Sequence, residues 1–168
     1  MSRLLGFPNP VNEKAARTVA AGVLTLTITT IVLGAVAGHG WLWLTALLAA
    51  GFLARVLTGP KLSPLGQLAT RVIAPRLGPA KPVAGPPKRF AQAMGATMTL
   101  AAVVLLALGY TTAVFVVLAL VVVAATLESV FGYCIGCKVF AGLMRIGVVP
   151  EETCAACADI SLRQPQAA

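Results

Sequence analysis

All four cysteines of this 168-residue chain fall in one stretch near its C-terminus, as two C-x-x-C pairs, Cys134/Cys137 and Cys154/Cys157. Two thiols three residues apart share one face of a helix. They can exchange with a disulfide or persulfide, close into a disulfide, or hold half of a metal site. The sixteen residues between Cys137 and Cys154 give C-x2-C-x16-C-x2-C, a spacing that also suits a tetrathiolate zinc site with Cys134, Cys137, Cys154 and Cys157 as ligands. Which chemistry operates depends on the compartment and on the elements that carry the thiols.

Hydrophobic residues make up 58 % of the chain and charged residues 11 %, whereas a soluble domain is about a quarter charged. This excludes an ordinary soluble domain and indicates an integral membrane protein. A spanning helix needs ~20 apolar residues to cross ~30 Å of hydrocarbon. Four segments qualify, at 18–37, 41–57, 91–110 and 113–133. The second is short, and Arg55 can extend its stem to the interface. A connection over 58–90 and a four-cysteine tail over 134–168 complete a single membrane domain. The expected fold class is all-α, an antiparallel four-helix membrane bundle.

The charges orient it. Thirteen Lys and Arg stand against five acids, a net +8. The cations precede the first span, fill the stretch from Arg55 to Arg89, or follow the fourth span; the connections Gly38–Gly40 and Thr111–Thr112 carry none. All thirteen therefore fall on one side, which the positive-inside rule makes cytoplasmic, with both termini on that side. The basic balance is thus read as membrane topology and not as nucleic-acid binding. Trp41, Trp43 and Tyr110 sit where an outer aromatic belt would be, and Tyr133 where an inner one would be. His39 is an outer-turn residue with no cysteine on its side and is assigned no role.

At the entry, Asn9 before Pro10 reads as a cap and first helical position, opening a short surface helix that leads into the first span. In the cytoplasmic connection, Ser63 caps a helix begun by Pro64, with Leu65, Leu68, Val72 and Ile73 on one face. This predicts an interfacial amphipathic helix. The following "GPAKPVAGPPKRF" is expected to be extended and polyproline-like. Such a basic loop suits anchoring to anionic lipid, or else a docking surface or anion site.

The first cysteine pair follows Gly132 and Tyr133, where the fourth span can break before a second helix. In that helix Ile135, Val139, Phe140, Leu143 and Met144 share one face, and Cys134, Lys138 and Arg145 the other. Pro150, Glu151 and Glu152 then open a further helix carrying Cys154 and Cys157 and closing at Arg163. A reducing cytoplasm disfavours a permanent disulfide and leaves metal binding or catalysis. Three features favour thiol chemistry. Cys134 at a helix start has its thiolate stabilised by the N-terminal dipole, with the Lys138 cation nearby. The spans supply the folding energy without a metal. Glu128 is the only acid inside a span and suits a proton carrier, or else pairs with Arg55.

The segments "FPNPVNEKAAR", "GPKLSPLGQLATRVIAPRLGP", "GPPKRFAQ", "ESVFGYCIGCKVF" and "CAACADI" resemble a bacterial family of small four-span membrane proteins known only as a domain of unknown function, with a C-x-x-C at the end of the last span. The resemblance covers nearly the whole chain. It implies the bacterial inner membrane, a link to sulfur or thiol metabolism, and thioredoxin-like or rhodanese-type proteins as soluble partners. The positions carried over are Cys134, Cys137, Cys154 and Cys157.

The expected function is thiol–disulfide or sulfane-sulfur exchange at the cytoplasmic face of the bilayer. Cys134 attacks, Cys137 resolves, and Cys154 and Cys157 pass electrons or sulfur to a soluble partner. Glu128 and Lys138 assist, and zinc is the one cofactor the residues suggest, under the alternative that follows. One alternative is a non-enzymatic membrane protein whose four thiolates bind structural zinc. Another is a transporter for a sulfur-containing anion, in which a homo-oligomer would have to supply the path.

Overall fold

Backbone in lipid must satisfy its own N–H and C=O groups, and long helices do so along their length. The computed structural model describes residues 7–150 and is dominated by such helices. In chain order they are α1 (Glu13–Val36), α2 (Leu44–Thr58), α3 (Pro64–Leu68), α4 (Ala74–Arg76), α5 (Gly85–Ala107), α6 (Thr111–Phe131) and α7 (Ile135–Arg145). A 3-10 turn, His39–Trp43, runs directly into α2. Four of these units are long and apolar enough to cross a membrane: α1, the 3-10 turn with α2, α5, and α6.

Within α1 the threonine hydroxyls turn back to the carbonyl one turn earlier: Thr27 Oγ1 donates to Val23 O at 2.7 Å and Thr30 Oγ1 to Leu26 O at 2.8 Å. A span can therefore carry threonines without leaving a donor bare in lipid. Helix α1 packs on α6, α2 on α5, and α5 on α6. One core gathers Val19, Val23, Phe52, Val121 and Ala125; a second gathers Leu42, Ala102, Val114 and Leu118. Gly95 lets the Phe52 ring lie directly on the α5 backbone, a space any Cβ would fill. Leu26, Ile28, Val32, Val104, Val116 and Val123 face outward, as expected of surface covered by lipid.

The starts of α1 and α5 and the ends of α2 and α6 meet at one end of the bundle, where Arg17 reaches Ser129 and Arg55 reaches Gln92. The Lys and Arg residues of the described chain lie there or in the 58–90 connection. The opposite end, with Gly38–Trp43 and Gly109–Tyr110, carries none.

The entry differs from the sequence expectation. Asn12, not Asn9, caps α1, its Oδ1 accepting from Lys14 N at 3.0 Å. Among the described residues no separate surface helix precedes the span, because Val11–Asn12 (β1) pairs antiparallel with Pro82–Val83 (β2). Pro8 and Pro10 lack N–H groups and hold this stretch extended, so it finds a strand partner. Asn9 Oδ1 instead accepts from Gly85 N at 3.0 Å, and Lys81 Nζ pairs with Glu13 at 2.7 Å. The N-terminal segment is thereby fastened to the residues that open α5.

The connection also differs in part. Ser63 does cap a helix, accepting from Gly66 N at 3.2 Å, with Pro64 in the first turn. A π-helical turn, Ala69–Ile73, then adds a residue to the winding and rotates the later positions. The expected single face is split. Leu65 packs inward against Gly22 and Ile73 is half-buried, while Val72 within the π turn is exposed, as is Leu68 before it, with Leu62 and Leu77. Small residues, Gly66, Ala69 and Ala74, face the bundle. The "GPAKPVAGPPKRF" stretch is extended only as far as Ala84. From Gly85 it is helix, because Pro86 and Pro87 occupy a first turn that has no need of their missing N–H groups.

Candidate functional site

Helix α6 ends on Gly132, whose φ of 66° lies in the left-handed region that glycine enters without penalty. Tyr133 N then bonds Leu127 O at 2.9 Å. Arg17 covers the last carbonyls of α6: Nε donates to Ser129 O at 3.2 Å, and Nη2 donates to Val130 O at 2.8 Å. The chain turns and restarts as α7 with Cys134 as its N-cap.

Cys134 Sγ accepts from Cys137 N at 3.2 Å. The sulfur occupies the place that a Ser or Asp oxygen takes in an ordinary N-cap. The two side chains are joined as a disulfide, with their Cα atoms 5.2 Å apart. Cys134 is 7 % exposed, and Cys137 is more open to solvent. In the reduced state, the N–H group of Cys137 and the partial positive charge at the start of α7 would face the Cys134 thiolate. Lys138 Nζ lies 5.7 Å over the Tyr133 ring, on the outer side of the same turn.

Helix α7 is held against the start of α5. A Cβ on Gly136 would sit 2.6 Å from Ala91 Cα, so only glycine permits this contact. Further along, Phe140 is buried and its ring lies 5.6 Å from that of Phe90. Leu143 and Met144 are partly covered, whereas Val139 is exposed, so the buried stripe is narrower than the sequence face suggested.

Glu128, near the end of α6, accepts from Lys88 on α5 at 2.5 Å, with only 15 % and 10 % of the two side chains exposed. Arg55, the partner weighed from sequence, instead donates to Gln92 Oε1 at 2.8 Å and Ser63 Oγ at 3.2 Å. It does not reach outward to the interface, being 5 % exposed. Glu128, Ile135 and Gly136 share the wall of a cavity of about 300 Å³ with Phe52, Met98 and Val121. The carboxylate and the first turn of α7 thus border one mostly apolar space.

Of the residues singled out from sequence, Cys134, Cys137 and Lys138 stand together at the start of α7, while Glu128 is paired with Lys88 and meets the first turn of α7 only across the shared cavity. Lys88 and Arg17 were not foreseen; a cation in the first turn of a span, on the side of its neighbour's only acid, is the signal that would have found Lys88. Cys154, Cys157 and their helix lie outside the described residues. Among the described residues no three His, Cys, Asp or Glu side chains gather as a metal site. A tetrathiolate site would need the second pair.

A family model described as "Domain of unknown function (DUF4395)" matches residues 11–145, from the first strand to the end of α7. The chain belongs to this family. No curated protein and no solved structure matches the chain. The matched region includes the DUF4395 bundle and the Cys134/Cys137 pair.

Proposed function

We propose that this DUF4395 protein is a membrane-embedded thiol–disulfide or sulfane-sulfur exchange protein of the bacterial inner membrane, working at the cytoplasmic face. The observation that carries the reading is Cys134 as the N-cap of α7, with its sulfur accepting the Cys137 N–H. This arrangement stabilises a thiolate and sets a second thiol at closing distance. Orientation follows the gathering of Lys and Arg at that end of the bundle.

In the disulfide branch, the Cys134 thiolate attacks a sulfur of the partner's disulfide and releases one partner thiolate. Cys137 then attacks Cys134 Sγ, forming the Cys134–Cys137 disulfide and releasing the second partner thiolate. Two electrons pass to the partner. In the persulfide branch, Cys134 takes the outer sulfur of the partner's persulfide and the partner leaves as a thiolate. Attack by Cys137 then releases hydrosulfide and closes the same disulfide. Attack is assigned to Cys134 because the fraction present as thiolate governs the rate. Glu128 serves the proton balance. A reduced Cys154/Cys157 dithiol reopens the Cys134–Cys137 disulfide by exchange and closes in its place, and a reduced thioredoxin-like protein, distinct from the oxidised partner, supplies the two electrons that restore it; a rhodanese-type protein is the persulfide donor of the second branch.

The test is exchange by the reduced full chain in nanodiscs with an oxidised thioredoxin-type protein or a low-molecular-weight persulfide. Cys134→Ser should abolish the reaction, and Cys137→Ser should accumulate the mixed adduct on Cys134. An unchanged rate in Cys134→Ser contradicts the mechanism.

A further inference from the structure

Residues 7–150 contain two acidic side chains, Glu13 and Glu128, among eleven Lys and Arg. Both acids are engaged, Glu13 by Lys81 at 2.7 Å and Glu128 by Lys88 at 2.5 Å. Arg55, in the last turn of α2, is 5 % exposed, more deeply buried than any other cation among the described residues. Its partners are neutral: the Gln92 amide oxygen, the Ser63 hydroxyl, and the Phe52 ring, whose centroid lies 4.6 Å from Cζ. A guanidinium carries five N–H donors and does not give up its proton. The C-terminal carbonyls of α2 lend it only a fraction of a negative charge. A buried cation without a full counter-charge is among the costliest arrangements in a fold.

There is space beside it. Arg55, Lys88, Gln92 and Thr70 line a second cavity of about 300 Å³, walled on its apolar side by Pro10 and Val19 among others. The charge balance within reach is simple. Lys88 is neutralised by Glu128, which leaves the single positive charge of Arg55.

We propose that this cavity binds one singly charged oxyanion group, phosphate- or sulfur-centred, against the Arg55 guanidinium. The planar fork of arginine matches two oxygens of such a group. Gln92 and Thr70, which line the same cavity, carry neutral donors. The group can belong to an anionic lipid headgroup entering from the bilayer or to a free inorganic anion; both present the same oxygens to Arg55. The site is separate from the Cys134/Cys137 pair and stands whether or not those thiols exchange. It is a place of binding and implies no path through the bundle.

The remaining carboxylates of the chain, Glu151, Glu152 and Asp159, lie outside the described residues and are the rival counter-charge. The experiment uses the full chain in neutral detergent at fixed ionic strength. Thermal unfolding is followed near pH 6 with sodium phosphate, there mostly the monoanion, sodium methanesulfonate or chloride alone. Native mass spectrometry is run after exposure to phosphatidylglycerol or phosphatidylcholine. We expect retention of phosphatidylglycerol over phosphatidylcholine, or a midpoint raised by an oxyanion beyond matched chloride. The first result assigns a headgroup and the second a free anion. Arg55→Gln should lose the effect, and Arg55→Lys should weaken it by about tenfold, because the fork is lost and the charge kept. If those variants fold poorly, Thr70→Glu serves: a carboxylate on the wall should exclude the anion and raise the ligand-free midpoint. The proposal is overturned if wild type shows neither effect. It is equally overturned if Thr70→Glu binds as wild type does, or if binding appears only in the triple variant Glu151→Gln, Glu152→Gln, Asp159→Asn.

Discussion

Lys88 Nζ and Glu128 Oε1 lie 2.5 Å apart, joining the first turn of α5 to the last turns of α6. Removing one partner strands the other charge in a poorly solvated place. Lys88→Met is therefore expected to cost about 3 kcal/mol of stability. The double change Lys88→Met/Glu128→Leu should recover a large part of that loss, since no charge is then left behind. Denaturant unfolding of the four proteins in one detergent gives the coupling; strictly additive losses would mean that the pair does not interact in the folded protein.

Two glycines set the position of Cys134, for different reasons. Gly132→Ala forces a Cβ into a left-handed cap and should cost about 1–2 kcal/mol. Gly136→Val drives a side chain into Ala91 and should lift α7 from α5. The second variant is therefore predicted to make Cys134 react faster with a bulky maleimide once the pair is reduced, and the first to change stability more than access. Equal alkylation rates in wild type and Gly136→Val would contradict the packing account.

Arg17 closes the end of α6 on which the α7 turn is built, through charged hydrogen bonds to the carbonyls of Ser129 and Val130. Arg17→Met keeps much of the stem and deletes the donors. The expected loss is about 2 kcal/mol, the scale for hydrogen bonds from a charged group. Hydrogen exchange should rise locally at Gly132–Cys137 before it rises elsewhere. Uniform exchange across α6 and α7 would argue against a capping role.

Ser63 has two acceptor duties, to Gly66 N at 3.2 Å and to Arg55 Nη1 at 3.2 Å. Ser63→Ala removes an N-cap, worth about 1 kcal/mol, and also strips Arg55 of a partner. Its cost in thermal unfolding should exceed that of Asn12→Ala, which loses a cap on α1 without baring a buried cation. A smaller cost at Ser63 would show that Arg55 does not depend on it.

The four long helices were legible because hydropathy and length act locally, and each segment reports its own need to leave water. The break at Gly132 and the restart at Cys134 were legible for the same reason, since caps are local chemistry. What the sequence hid was pairing at a distance. Asn9 and Asn12 both look like caps, and the choice between them was made by Pro82–Val83, some seventy residues away. Glu128 had cations available on two neighbouring helices. Lys88 takes it because it lies on α5, which packs on α6, whereas Arg55 lies on α2 and turns to Gln92 and Ser63. The inward run of Gly66, Ala69 and Ala74 was hidden by a π turn, which the spacing of Leu65, Leu68, Val72 and Ile73 does not announce.

In the proposed function the cysteines exchange rather than hold a structural metal. Metal content and free-thiol count on the full chain, purified without chelator or reductant, test it most directly. Less than stoichiometric zinc is expected, with Cys134 and Cys137 isolated as a disulfide that opens with reductant and closes again with a disulfide or persulfide donor. One zinc per chain, with four thiols that react only after chelation or denaturation, would contradict it.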